Sequence, residues 1–212
     1  MEMEKRTVSL EIRDSNLESR KISGYAATFN DDYTELQDRW GDTFYERISR
    51  GAFLKTLADN TRDKFMLINH DWNKVVGRTN SNLILEEDEY GLRFEVDVPA
   101  TTDGNDLLEN VKFGLIKGCS FGFNIVNSKT RFDDDWTYYR DITEVELFEI
   151  TATPIPAYND TEINCRSGIS IKELRESQKE EAKQNDNKDN IEKRNVDLVS
   201  AFFNAFNNKG GK

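Results

Sequence analysis

The chain has 212 residues, an apolar share of 36% and a net charge of −11, enough for one domain with a sizeable core plus a tail. The acidic balance argues against a nucleic-acid partner, because little positive charge is left to neutralise phosphates, and no run of about 18 apolar residues offers a membrane-spanning helix. Two separated cysteines, Cys119 and Cys165, and one histidine are too few for a disulfide framework or a zinc site. No metal and no cofactor are therefore expected, and the cysteine usage points to a reducing cytoplasm. MEMEKRTVSLEIRD, at the start, lacks the apolar middle of a secretory signal.

In chain order, TVSLEI, KISGYAATF, KFMLINH, SNLILEED, GLRFEVDV, CSFGFNIV, WTYYRDI and TEVELFEI read as short strands, β-branched and aromatic, with turn residues between them. LILEEDEYGLRFEVDV reads as a hairpin closing near Gly91. Two helices interrupt the strands. One runs from about Ser49 through GAFLKTLADN. The other starts near Asp103 or Asn105, carries Leu107, Leu108, Val111 and Leu115, and ends by Gly118. This pattern predicts an α+β, mainly β domain over residues 1–168, a closed or strongly bent antiparallel β-barrel flanked by a few helices.

Beyond it, residues 169–194 have almost no apolar content and read as a charged linker. From Ile171 onward, nine basic and eight acidic residues nearly cancel, so the acidic excess resides in residues 1–170. Residues 195–212 predict a short amphipathic helix that ends a flexible charged tail, with Asn195 as N-cap and Val199, Phe202, Phe203 and Phe206 on one face. It either folds back on the domain or docks as a tethered peptide.

Three residues invite a chemical reading. His70 ends the apolar run FMLINH, on a strand face shared with Met66 and Ile68. Glu149, in TEVELFEIT, alternates with Val145, Leu147 and Thr151 and is expected to point inward. There it requires a partner: an arginine in the plainer case, a histidine N–H in the catalytic one. Ser120, in GCSFGF, lies opposite the aromatic face of Cys119, Phe121 and Phe123, with Gly122 beside it, where glycine permits close approach of another backbone. A serine hydroxyl is a weak nucleophile without an adjacent base, and this chain offers one imidazole.

GYAATF, ERISRGAF, NHD, GR, YGLRFEVDVP, GCSFGF, LFEIT and PIPAYNDTEI, in that order over residues 20–166, resemble the prohead protease family of tailed bacteriophages. The resemblance implies a serine endopeptidase of capsid maturation, distantly similar to herpesvirus assemblin, with a closed β-barrel. It places the family's histidine on His70, its serine on Ser120 and its acid on Glu149. The herpesvirus relatives use a second histidine as third member, which this chain lacks, so a carboxylate must serve; Asp71 competes with Glu149 for that place. Cys119 competes with Ser120 as nucleophile, although its face predicts an inert core thiol. Thr151 stands where many relatives have serine.

The implied substrates are the scaffold region of the major capsid protein or a separate scaffold, and the chain itself by autocleavage. The implied setting is the assembling prohead in the host bacterial cytoplasm, with a homo-oligomer possible by the same resemblance. Oxyanion donors are expected from backbone N–H groups, with Arg78 or Arg166 nearby. Asp133, Asp134 and Asp135 read as a solvated turn before Trp136 and not as calcium ligands. The alternative functions are a catalytically silent scaffolding or capsid-assembly module of the same fold, and an acidic adaptor for a basic protein.

Overall fold

The computed structural model describes residues 4–8, 14–16, 20–29, 32–38, 40–154 and 170–183. The chain divides into two compact units, Met1–Gly168 and Ile169–Lys212. The first is built on a long antiparallel hairpin, β10 (Gly118–Phe132) and β11 (Tyr138–Thr153). Its turn is closed by Asp133, whose Oδ1 accepts the N–H groups of Asp135 and Thr137 at 3.1 and 2.8 Å. The outer edge of β10 pairs with β1 (Glu4–Val8), which sets Thr7 opposite Ser120.

β11 carries two different strands on its other edge, both parallel to it. Tyr139–Ile142 pairs with β5 (Thr43–Ile48), and Glu149–Ala152 pairs with β6 (Phe65–Ile68). β4 (Thr34–Gln37) then joins β5, and β7 (Asp71–Arg78) joins β6. A second sheet runs β2 (Asp14–Asn16), β3 (Lys21–Thr28), β9 (Gly91–Asp97), β8 (Leu83–Glu87).

The α+β, mainly β class holds, but the expected closed barrel does not form among the described residues; both sheets are open. Closure requires each strand to hand its ladder to one neighbour around a ring. Here β11 gives its edge to two strands in succession, so the ladder forks.

Side chains of both sheets make the core. Phe121 stacks on Phe123 with ring centroids 4.9 Å apart and meets Phe53 edge-on at 5.7 Å. Ile22, Leu92, Phe94 and Val96 of the second sheet share the same buried cluster. The predicted hairpin at Gly91 is present as β8–β9, and a side chain at Gly91 would meet Ala27 O at 1.9 Å, so glycine is required where β9 crosses β3.

The first helix, α1 (Leu54–Ala58), is shorter than expected, because residues 50–53 form turns. The second, α2 (Thr102–Lys112), is capped by Thr101, whose Oγ1 accepts the Gly104 N–H at 3.1 Å. Leu107, Leu108 and Val111 face the core as predicted. Leu115 does not. Gly114, at φ 67°, turns the chain away and leaves Leu115 62% exposed.

In the second unit, residues 171–183 form a helix, α3, within the stretch read as linker. Ser170 and Glu173 open it as a reciprocal capping box, with Glu173 N–H on Ser170 Oγ and Ser170 N–H on Glu173 Oε2. The expected terminal amphipathic helix lies outside the described residues. Among the described residues no helix is long and apolar enough to cross a membrane.

Phe121→Ala removes the centre of the aromatic stack. It is expected to lower stability by about 3–5 kcal/mol, seen as a lower urea midpoint at unchanged slope. A loss under about 1 kcal/mol would place the stack outside the core.

Candidate active site

The site begins with one extra residue in β11. Phe121 pairs with Ile150 and Gly122 with Glu149, but Phe123 pairs with Leu147, which leaves Phe148 without an opposite number. Such a bulge turns the alternation of side chains over. Val145 and Leu147 before it, and Ile150 and Ala152 after it, all join Phe121 and Phe123 on the core face. Glu149 and Thr151 pass to the other face, beside Ser120 and Gly122. Simple alternation puts Glu149 with Leu147; the bulge reverses this, and Glu149 is nevertheless fully buried at 0% exposure.

His70 reaches the same face by a turn. β6 ends at Ile68, which pairs with Asp71 of β7, so Asn69 and His70 form a two-residue hairpin loop. Both take left-handed backbone conformations, φ 55° and 57°, as the mirror-image turns favoured in tight hairpins require. His70 therefore does not continue the strand face of Met66 and Ile68. Asparagine and histidine are among the non-glycine residues that tolerate this region best. Two hydrogen bonds tie the turn to β11: Asn69 N–H donates to Ala152 O at 3.0 Å, and His70 N–H donates to Thr151 Oγ1 at 2.9 Å.

From that turn the imidazole spans the other two groups. Nδ1 lies 2.7 Å from Glu149 Oε1, and Nε2 lies 3.1 Å from Ser120 Oγ. A carboxylate can only accept, so Nδ1 carries the proton and donates it, which leaves the Nε2 lone pair facing the serine hydroxyl. Ser120 is 0% exposed, whereas the His70 side chain keeps 18%. The Glu149 Oε2 atom is buried and has no hydrogen-bond partner among the described residues.

A family model described as caudovirus prohead serine protease matches residues 7–180. The chain belongs to that family. No curated protein and no solved structure matches it.

In this member of the family the competing candidates lie elsewhere. Asp71 turns away from the ring and accepts both the backbone N–H and the side-chain Nδ2–H of Asn73 at 2.9 and 3.0 Å. Those bonds, the backbone one first, hold its carboxyl below the usual range. Cys119 is a buried core thiol at 1% exposure, on the face of Phe121. Burial pushes its ionisation far upward, and the Glu149 carboxylate adds to the shift, so a thiolate is disfavoured there.

Arg78 pairs with Asp63 at 3.4 Å, half exposed, and Arg166 lies outside the described residues. Asp133 serves its own turn. Among the described residues no group of three His, Cys, Asp or Glu side chains is arranged to hold a metal ion. The residue that sequence reasoning named without giving it a role is Thr151. Its spacing of two from Glu149 already put it on the same face, but nothing local announces a bond to the backbone of a distant turn.

A thiol reagent such as N-ethylmaleimide is expected to leave the peptide containing Cys119 unmodified in the native protein and to label it once the protein is denatured in urea. Peptide mass mapping reads this directly, and rapid native labelling would return Cys119 to the list of nucleophiles.

Proposed function

We propose that the chain is a serine endopeptidase of head maturation in which Ser120 is the nucleophile, His70 the general base and acid, and Glu149 the group that orients His70. One observation carries this reading: a single imidazole lies within hydrogen-bond reach of a serine hydroxyl through Nε2 and of a buried carboxylate through Nδ1. Ser120 Oγ attacks the scissile carbonyl carbon as Nε2 takes its proton. Glu149 holds the ring in the productive tautomer and steadies the imidazolium. The tetrahedral intermediate collapses when the imidazolium gives its proton to the leaving amine, and an ester joins the acyl group to Ser120. Water, deprotonated by the same nitrogen, then attacks the ester and restores the hydroxyl. No cofactor enters any step.

Substrates are capsid-related proteins: the scaffold region of the major capsid protein or a separate scaffold, and the chain itself. The charged stretch beyond residue 183, rich in lysine, aspartate and asparagine, is a candidate for self-cleavage. The reaction takes place inside the assembling prohead, in the host bacterial cytoplasm.

Co-expression with the capsid protein tests the assignment. Ser120→Ala is expected to remove processing, on the order of 10⁶-fold if the trio works as a unit. Cys119→Ala should leave it essentially intact. Processing that survives Ser120→Ala but not Cys119→Ala would reverse the nucleophile.

The third member is tested separately. Glu149→Gln keeps the volume but removes the charge and puts an amide N–H donor where an acceptor stood, so the tautomer is no longer selected, and turnover is expected to fall on the order of 10⁴-fold. Asp71→Asn should change it less than about threefold, because its carboxylate serves Asn73. A larger effect of Asp71→Asn than of Glu149→Gln, in single-turnover cleavage of a capsid-derived peptide, would exchange their roles.

A further inference from the structure

We propose that Thr151 is a positioning residue whose hydroxyl holds the turn that carries His70, an inference that rests on the reading of Ser120, His70 and Glu149 given above. Two consecutive non-glycine residues in left-handed conformation, Asn69 and His70, are each disfavoured and persist only where the surroundings fix them. The Asn69 N–H is held by a main-chain carbonyl, that of Ala152, which no substitution removes. The His70 N–H is held by a side chain, the Thr151 hydroxyl, at 2.9 Å.

The position of that hydroxyl is itself determined on three sides. Thr151 is 0% exposed, and its β-branched side chain has few rotamers. It pairs across β10 with Ser120 and across β6 with Leu67, so nucleophile, hydroxyl anchor and the strand leading to His70 form one row over three strands. Thr151 thus references the base to the same row that carries the nucleophile. Without the hydroxyl, a partly buried N–H loses its acceptor and the turn relaxes to find another. Ring displacement of about 1 Å at a reacting centre lowers rate on the order of 10²-fold.

The test uses Thr151→Val, Thr151→Ala and Thr151→Ser, with two readouts: saturating labelling of Ser120 by a serine-directed phosphonate, and the ring-proton NMR signals of His70. Those signals need no assignment, because the chain has one histidine. Both hydroxyl-free variants are expected to label about 10–100-fold more slowly at saturation with little change in the half-saturating concentration. Their His70 signals should shift. Thr151→Ser should restore the rate to within a few-fold and leave the signals in place.

If the hydroxyl-free variants label at the wild-type rate with unmoved His70 signals, Thr151 is packing and the proposal falls. It falls equally if Thr151→Ser loses as much as Thr151→Val, since the methyl group would then be what matters. Wild-type protein that neither labels nor processes the capsid protein on co-expression, with His70 signals that still move in Thr151→Val and Thr151→Ala, overturns the serine-protease reading and keeps the anchoring role. Should Thr151→Val not fold, the smaller Thr151→Ala decides by the same readouts.

Discussion

A single imidazole held at both ring nitrogens fixes the geometry of this site, and a strained turn holds the imidazole. Left-handed residues other than glycine cost roughly 1–2 kcal/mol each, and Asn69 and His70 are two in succession. Each of the two hydrogen bonds that tie the turn to β11 contributes about 0.5–1.5 kcal/mol, so together they nearly offset the strain. The same conformation performs the positioning. A strand continuing past Ile68 would carry the ring along the sheet, whereas the reversal at Asn69–His70 swings it over the face bearing Ser120 and Glu149. The strain and the placing of the ring thus lie in the same two residues.

The other half of the geometry comes from the bulge at Phe148. One hairpin, β10–β11, supplies both the aromatic core and two members of the trio, on opposite faces. The bulge lets β11 bury Val145, Leu147, Ile150 and Ala152 together while Glu149 and Thr151 point the other way. The stack of Phe121 on Phe123 therefore acts on the site through the backbone: it anchors the strand segment that carries Ser120, and the antiparallel register then sets Thr151 opposite Ser120. Core packing and site alignment are mechanically one problem here, as expected where a site is built on paired strands and not on loops.

How much of this could be read from the residues follows from the range of the interactions. The strand class, the Gly91 hairpin and the apolar side of α2 depend on neighbours within about ten residues, and they were legible. So was the need of an inward carboxylate for a partner, because an unpaired buried charge is costly wherever the fold puts it. The bulge left a mark that simple alternation read past: in TEVELFEIT the apolar phase changes at the adjacent Leu147 and Phe148, and pairing with β10 shows Phe148 to be the extra residue. β7 escaped notice for a related reason. DWNKV, mostly exposed, is a strand because β6 pairs with it and not because of its composition. The fork at β11, which opens the expected barrel, joins Tyr139 to Tyr45 and Glu149 to Phe65, separations no local pattern encodes.

Burial sets the last constraint. Glu149 has one oxygen on His70 and the other shut away from solvent with no partner among the described residues. Such an arrangement is unfavourable for folding and favourable for holding a proton donor in one orientation, because a low local dielectric strengthens the Nδ1–H to carboxylate bond. Ser120 is closed to solvent as well. On the proposed reading, the three groups are already connected in the closed chain, and what a substrate lacks is room rather than an aligned trio. Gly122, beside Ser120 and without a side chain, leaves space for a peptide backbone on that face once it is uncovered.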